Sequence, residues 1–133
     1  MSSDEPGLRE VDPLARRGDV ERIAFLREAV ASGRCLIAET GSIVGFIVST
    51  PRHFFARDFI ELLMVRDDVR RLGVGQALLR AAVERAGTSR VFSSTNASNA
   101  VMQSVFEAGG WTLSGQLDGL DEHDPELVYF IDQ

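Results

Sequence analysis

The chain has 133 residues, 44% hydrophobic and 26% charged, which is the composition of one globular domain with its own core rather than of a disordered chain. Its net charge of −6 argues against a nucleic-acid surface, which needs clustered positive charge, and is compatible with a cationic substrate such as an amine. The single cysteine, Cys35, excludes an internal disulfide and a cysteine-based metal cluster; the two histidines, His53 and His123, lie 70 positions apart, so no metal is expected, with a His/carboxylate site as the alternative.

A single domain over residues 1–133 is the simplest reading, with residues 1–7 as a flexible, polar end. That end lacks the basic region and apolar stretch of a secretory signal, and no apolar run approaches the roughly 20 residues that cross a bilayer. A cytoplasmic protein without membrane contacts is expected. Leu8 to Val11 reads as a short strand, stopped by Pro13. Asp19 then offers a helix N-cap, Val20, Ile23, Leu26 and Val30 recur at helical spacing, and Gly33 supplies the stop. Cys35 to Glu39, the turn Thr40-Gly41-Ser42 and the β-branched run Ile43 to Val48 predict a hairpin. Pro51 to Asp58 breaks both periods and reads as a loop, and Phe59 to Val65 as a strand.

After Gly75 the pattern turns helical through Leu78, Ala81, Ala82 and Arg85, ending at Gly87. Arg90 to Thr95 reads as a strand. Asn99 to Ala108 reads as a helix with the stripe Val101, Met102, Val105 and Phe106, closed by Gly109-Gly110. Two strands follow, near Trp111–Leu117 and Leu127–Ile131, around the acidic stretch from Asp118 to Glu126. Helices packed on a mixed sheet are the natural solution for this order.

The segment Arg70-Arg71-Leu72-Gly73-Val74-Gly75-Gln76 joins a strand to a helix. Gly73 and Gly75 permit a sharp turn and a close approach to backbone. The first N–H groups of the helix point outward at the positive end of its dipole, and Arg70 and Arg71 add charge, with Arg66 nearby. A phosphate or diphosphate is the expected ligand. The loop lacks the Gly-Lys-Ser/Thr of a Walker loop, and Leu78 stands where the third glycine of a dinucleotide fingerprint would fall.

Val65 to Leu79, with Arg70, Gly73 and Gly75 in the fixed places of Gln/Arg-x-x-Gly-x-Gly/Ala, resembles the central motif of the GNAT superfamily of N-acetyltransferases. Asn99 to Trp111 is similar to that family's Asn-x-x-Ala-x-x-Leu-Tyr-Glu-Lys-x-Gly-Phe segment, and Ile43-Val44-Gly45-Phe46 fits its hairpin. The resemblance spans about residues 19–131. It implies an α/β (α+β) fold: a mostly antiparallel mixed sheet flanked by helices, here with a shortened N-terminal part. It implies acetyl-CoA as donor, its diphosphate on the amides from Arg71 to Gln76 and its pantetheine arm paired with the backbone of Leu63, Met64 and Val65. Asn99 would reach the pantetheine or phosphate region. The acceptor would be a primary amine of a small molecule or protein.

Glu61 shares a strand face with Phe59, Leu63 and Val65, where apolar neighbours disfavour its charged form and suit it to general-base work. GNAT enzymes often place a glutamate on this strand. The alternative is a solvated or ion-paired strand residue. Many members carry a proton-donating tyrosine where this chain has Phe106, which keeps the place beside the cofactor but has no proton to give. Tyr129, the one tyrosine, reads as a packed strand aromatic, and Ser104 as a helix-surface residue. The loss of the acid leaves a second reading open, a catalytically weak acyl-CoA-binding regulatory module, while an unrelated nucleotide-binding protein rests only on the two glycines. Arg52, His53, Phe54 and Phe55 read as a loop that lines the acceptor cleft or is anchored by its phenylalanines. Asp118, Asp121, Glu122, Asp124 and Glu126 read as a solvated loop or a lure for a cation. With one clear helix before Cys35, the acceptor wall is reduced or completed by a second subunit in a homodimer.

Overall fold

The computed structural model describes residues 5–69 and 73–133. Helices α1 (Glu5–Val11), α2 (Pro13–Arg16) and α3 (Val20–Ala31) precede strands β1 (Cys35–Thr40), β2 (Ser42–Phe54) and β3 (Arg57–Val65). A 3-10 turn at Asp67–Val69, helix α4 (Val74–Arg85), β4 (Arg90–Asn96), α5 (Ala100–Ala108), β5 (Thr112–Leu117) and β6 (Glu126–Asp132) complete the order. The strands form one sheet in the order β1-β2-β3-β4-β6-β5, with β3 and β4 parallel and the pairs β1–β2, β4–β6 and β5–β6 antiparallel. This is the mixed, mostly antiparallel α/β fold expected from the sequence. No helix among the described residues is long and apolar enough to cross a membrane. The backbone forms two compact units, Met1–Ser49 with Leu62–Ala82, and Thr50–Glu61 with Val83–Gln133.

The first unit corrects the reading of the N-terminal region. Leu8 to Val11 is helix, not strand, and residues 5–7 belong to that helix rather than to a loose end; residues 1–4 lie outside the described residues. The physical reason lies just downstream. Asp12 caps α2 by accepting from the Leu14 N–H, and Pro13 sits in the first turn, where its fixed φ suits a helix start. Leu8, Val11 and Ala15 then point to one side and join Leu26, Ala29, Val30, Phe46 and Val48 in the core. Asp12 is fully buried, and Arg22 on α3 pairs with it at 2.7 Å, so its charge is compensated and ties α2 to α3. Three helices therefore precede β1, where one was expected.

Helix α3 begins and ends as its residues dictate. Asp19 accepts from the Arg22 N–H at 2.9 Å. Gly33 takes φ +74°, its N–H reaches the Val30 carbonyl, and the Arg34 N–H reaches Ala29, a Schellman close. In the same unit, α4 packs where Gly45 of β2 has no side chain. A Cβ there would stand 3.1 Å from the Met64 carbonyl oxygen, 3.1 Å from Val74 Cγ1 and 3.2 Å from Leu78 Cδ1.

The second unit repeats the capping logic on α5. Asn99 accepts from the Met102 N–H at 3.0 Å, Gly110 takes φ +83°, and the Trp111 N–H returns to the Phe106 carbonyl at 3.0 Å. The apolar contact that accompanies such a close is the pair of Phe106 and Trp111 rings, 5.1 Å between centroids. On β4, Val91, Ser93 and Thr95 are buried in alternation. Phe92, on the other face, meets Phe54 and Phe130 at 5.1 and 5.8 Å, and Phe54 stacks on Phe59.

The expected loop at Pro51–Asp58 is mostly strand. β2 runs on to Phe54, Phe55 and Ala56 form a two-residue turn with φ of 49° and 65°, and β3 starts at Arg57. Positive φ at both turn residues is the geometry of a tight hairpin, ordinarily built from Asn and Gly. Here the Phe54–Phe59 stack and a buried carboxylate hold it instead. Asp58 accepts from the N–H of Arg52, itself at φ 51°, and from the N–H of Gly87.

Gly45→Val inserts branched carbons against a backbone oxygen and two helix side chains. It should lower stability by about 1–3 kcal/mol in urea unfolding, against a change near zero for the exposed Gly87, where nothing lies within 4 Å.

Candidate active site

Of the residues singled out by sequence, Leu63, Met64, Val65, Gly73, Val74, Gly75 and Gln76 belong to the first unit, and Glu61, Asn99 and Phe106 to the second. Arg70, Arg71 and Leu72 lie outside the described residues.

β3 ends at Val65, and the chain enters a short turn in which the Arg66 N–H bonds the Val44 carbonyl at 2.8 Å. Gly73 takes φ +82°, a left-handed conformation that L side chains rarely adopt. Its carbonyl accepts from the Ala77 N–H, so α4 starts directly after it and Val74, Gly75 and Gln76 form the first turn. A Cβ placed on Gly73 would meet nothing within 4 Å, so space outside the turn is open. The first N–H groups of a helix, at the positive end of its dipole, favour an anion.

Arg66, read from sequence as added positive charge for the anion, is engaged locally. Its guanidinium meets Asp68 at 2.5 and 3.0 Å and donates to Ser42 Oγ at 3.2 Å. The hydrogen bond from Arg66 holds the Asp68 carboxyl below its ordinary range. A cleft of about 470 Å³ adjoins this end of β3 within the unit. Met64, Val65, Arg66 and Asp68 line one part of it, and Glu10 and Arg16 another.

In the second unit, Glu61 is not a carboxylate among apolar neighbours alone. Thr50 Oγ1 donates to its Oε1, and His53 Nε2 stands 3.7 Å from the same atom. The Glu61 side chain is 23% exposed and that of His53 54%. Thr50 was not singled out by the sequence, and His53 was placed in a loop; the hairpin turn at Phe55-Ala56 is what brings both opposite Glu61. The β3–β4 register covers Asp58↔Val91 to Ile60↔Ser93, while β3 itself runs on to Val65.

Asn99 is exposed, and its side-chain oxygen is committed to capping α5. Phe106, expected beside the cofactor, has its side chain fully buried between Tyr129, stacked at 4.6 Å, and Trp111. Tyr129 is also buried. Its hydroxyl is pushed up from the ordinary value of 10.0, first by burial and then by the charge of Glu107.

The acidic stretch is neither a free lure nor wholly solvated. Asp124 accepts from the Ser98 N–H and hydroxyl at 2.9 and 2.6 Å, Asp121 from Asn96 at 2.8 Å, and Glu126 from Ser94 at 2.6 Å. These carboxylates clamp the turn that leads into α5. Among the described residues, no group of three or more His, Cys, Asp or Glu is placed to hold a metal ion.

The family model described as the acetyltransferase (GNAT) family matches residues 5–111. Among solved structures, an acetyltransferase of the GNAT family from Bacillus cereus ATCC 10987 is 34% identical, with a TM-score of 0.90, covering 98% of this chain and 92% of that one. A Salmonella typhimurium protein assigned as an acetyltransferase, solved with its cofactor acetyl-CoA, is 17% identical with a TM-score of 0.76, covering 99% and 90%. Diaminobutyrate acetyltransferase from Paenibacillus lautus, solved with its substrate and coenzyme A, is 22% identical with a TM-score of 0.71, covering 96% and 89%. The last two share the fold. No curated protein matches the chain.

Tyr129 is the only tyrosine, so tyrosinate absorbance reports on it alone. Its midpoint in the folded protein should lie above that of the urea-unfolded chain, at about 10. Because the unfolded chain releases the proton first, this group's contribution to stability is full below pH ~10 and declines as pH rises through the folded midpoint. Glu107→Gln should bring the folded midpoint part of the way down; identical midpoints in folded and unfolded protein would contradict the burial.

Proposed function

The chain belongs to the GNAT acetyltransferase family, and from that premise we propose that it transfers the acetyl group of acetyl-CoA to a primary amine of a small molecule or protein. The observation that carries this reading is the start of α4 directly behind the left-handed, open Gly73, in the connection that follows β3. On this reading the amides of Val74, Gly75 and Gln76, with Arg70, Arg71 and Leu72 before them, hold the diphosphate. The backbone of Leu63, Met64 and Val65 takes the pantetheine arm as an added strand takes an edge. Asn99 contributes from the N-terminus of α5. The bound thioester supplies an activated acyl carbon.

Direct attack needs a neutral amine, and a lysine-like amine is a cation below about pH 10.4. Glu61 removes that proton. Its carboxylate is partly buried and oriented by the Thr50 hydroxyl, which favours one geometry at the atom that must accept. The amine nitrogen then adds to the carbonyl carbon, the C–S bond breaks, and the electron pair leaves on sulfur. Holding amine and thioester together in one ternary complex supplies a further part of the rate. We place the enzyme in the cytoplasm, where acetyl-CoA and amines meet, with no nucleic-acid partner; a homodimer is part of the proposal, although the three helices before β1 remove the short N-terminal wall as a reason for it.

A second reading, a weakly catalytic acyl-CoA-binding regulatory module, is favoured by one observation, the buried Phe106 where the family commonly carries a proton-donating tyrosine. Release of free thiol from acetyl-CoA across an amine panel separates the two. Steady turnover supports the transferase, and tight binding without turnover on any amine supports the module.

Two substitutions test the parts. Gly75→Glu puts a carboxylate and its bulk into the anion turn and should abolish acetyl-CoA binding by calorimetry while circular dichroism stays native; unchanged affinity would move the site elsewhere. Glu61→Gln should lower kcat by about 10²-fold or more and leave acetyl-CoA affinity unchanged. Full turnover in that variant excludes the base role.

A further inference from the structure

The β2–β3 hairpin carries a group of side chains that the transferase reading uses only in part. Glu61 Oε1 receives the Thr50 hydroxyl and faces His53 Nε2 at 3.7 Å, a gap that one water or a small side-chain rotation closes. The imidazole stands beside the aromatic cluster of the hairpin. Its ring lies 6.1 Å from that of Phe59, which stacks on Phe54 at 5.1 Å. The residue before it, Arg52, turns the chain through φ 51°, and its N–H is fixed by Asp58 Oδ1 at 3.1 Å. The hairpin has one other carboxylate, Asp58, and that one is buried and taken by the N–H groups of Arg52 and Gly87. The other charged side chains of the hairpin are those of Arg52 and Arg57, both exposed. Glu61 is thus the carboxylate that faces His53.

We propose that His53 is the proton exit of the site: it takes from Glu61 the proton that Glu61 removes from the acceptor ammonium, and passes it to solvent. The proposal rests on the reading of Glu61 as general base. The balance is as follows. An ammonium acceptor gives one proton to Glu61. Its nitrogen forms the C–N bond as the C–S bond breaks, and the second N–H proton ends on the thiolate as free thiol. One proton per turnover therefore stays on Glu61 and must leave before the next ammonium can be deprotonated. Glu61 is 23% exposed, whereas His53 is 54% exposed and reaches solvent with a ring that has two nitrogens able to bind and release a proton. An imidazole between a partly buried carboxylate and water is the group suited to that transfer. His53 is here a residue acting through Glu61, and it need not touch either substrate.

The first test needs no acceptor. The chain has two histidines, so His123→Gln leaves one imidazole signal, that of His53, in an NMR titration. Adding Glu61→Gln removes the facing carboxylate and should move the His53 ring resonances. Unmoved ring resonances overturn the pairing. The second test uses acetyl-CoA with the most active amine of a panel holding a polyamine, an α-amino amide and an aromatic ethylamine. His53→Ala should lower kcat roughly tenfold with little change in KM for acetyl-CoA. His53→Gln, which keeps hydrogen bonding but cannot take up and release a proton, should be equally slow. Imidazole added to the buffer should restore His53→Ala in proportion to its concentration and should not restore Glu61→Gln. Full kcat in His53→Ala beside a slow Glu61→Gln overturns the relay and leaves the base reading standing. Wild-type kcat in His53→Gln reduces His53 to a packing role and overturns the relay as well. Full kcat in Glu61→Gln overturns the base reading and the relay with it.

Discussion

The first unit is arranged around a position where no side chain fits. Gly45 lies in β2 with the Met64 carbonyl, Val74 and Leu78 so close that a single Cβ would meet all three within 3.2 Å. Its consequence reaches beyond packing. Val74 is the first residue of α4, and Met64 is next to last in β3. Their shared contact with Gly45 fixes the start of the helix beside the end of the strand, and Gly73 makes the connection by accepting a left-handed conformation. A helix dipole acts only over its first turn, so its value to an anion depends on where that turn is held. A helix standing off by the width of a methyl group would carry its N–H groups away from the strand backbone assigned to the rest of the ligand. The proposed diphosphate site is therefore a property of β2 packing as much as of the glycine-rich turn.

Most of the fold was legible because most of its decisions are local. Asp19 and Asn99 cap the helices they were expected to start, and Gly33 and Gly110 close helices by the same left-handed step. Each of these is chemistry within four or five residues, which a sequence displays directly. The N-terminal region was different. Leu8 to Val11, four residues of mixed character, fit a strand or one helical turn equally well, and Pro13 reads as a breaker. What decided it was Asp12, buried by pairing with Arg22 from another helix, so that Pro13 opens a helix instead of ending a strand. The hairpin from Pro51 to Asp58 failed for a related reason. Arg52, Phe55 and Ala56 take positive φ without being glycine or asparagine, and the compensation comes from Asp58 and from stacked rings.

The legibility of the candidate site follows the same division. The anion turn is a contiguous motif whose physics can be read without tertiary structure. Glu61 was accessible from alternation along its strand. Its partners were not, since Thr50 and His53 approach it across a turn that the sequence disguised as a loop. The acidic stretch is a largely exposed loop, as expected, but its bonding was hidden for want of the same information: Asp121 and Asp124 hydrogen-bond Asn96 and Ser98 and support the start of α5.

Phe106 shows how packing bears on the choice between the two functional readings. Its ring is fully buried, 4.6 Å from that of Tyr129 and 5.1 Å from that of Trp111. A hydroxyl on that ring would need a partner, because burying one without a hydrogen bond costs about 1–3 kcal/mol. The stack is thus consistent with phenylalanine on stability grounds alone. Tyr129 does not simply take over as acid, since burial and Glu107 hold its proton more tightly than usual, which makes it a poorer proton donor. Yet a thiol with an ordinary pKa of about 8.5 is a tolerable leaving group near neutral pH without prior protonation. The harder demand at that pH lies at the other end of the reaction, where an amine with a pKa near 10.4 must lose a proton before it can attack. On the proposed reading, the chemistry of this chain is concentrated there, in Glu61 and the side chains that face it, and the missing tyrosine limits the rate without removing the reaction.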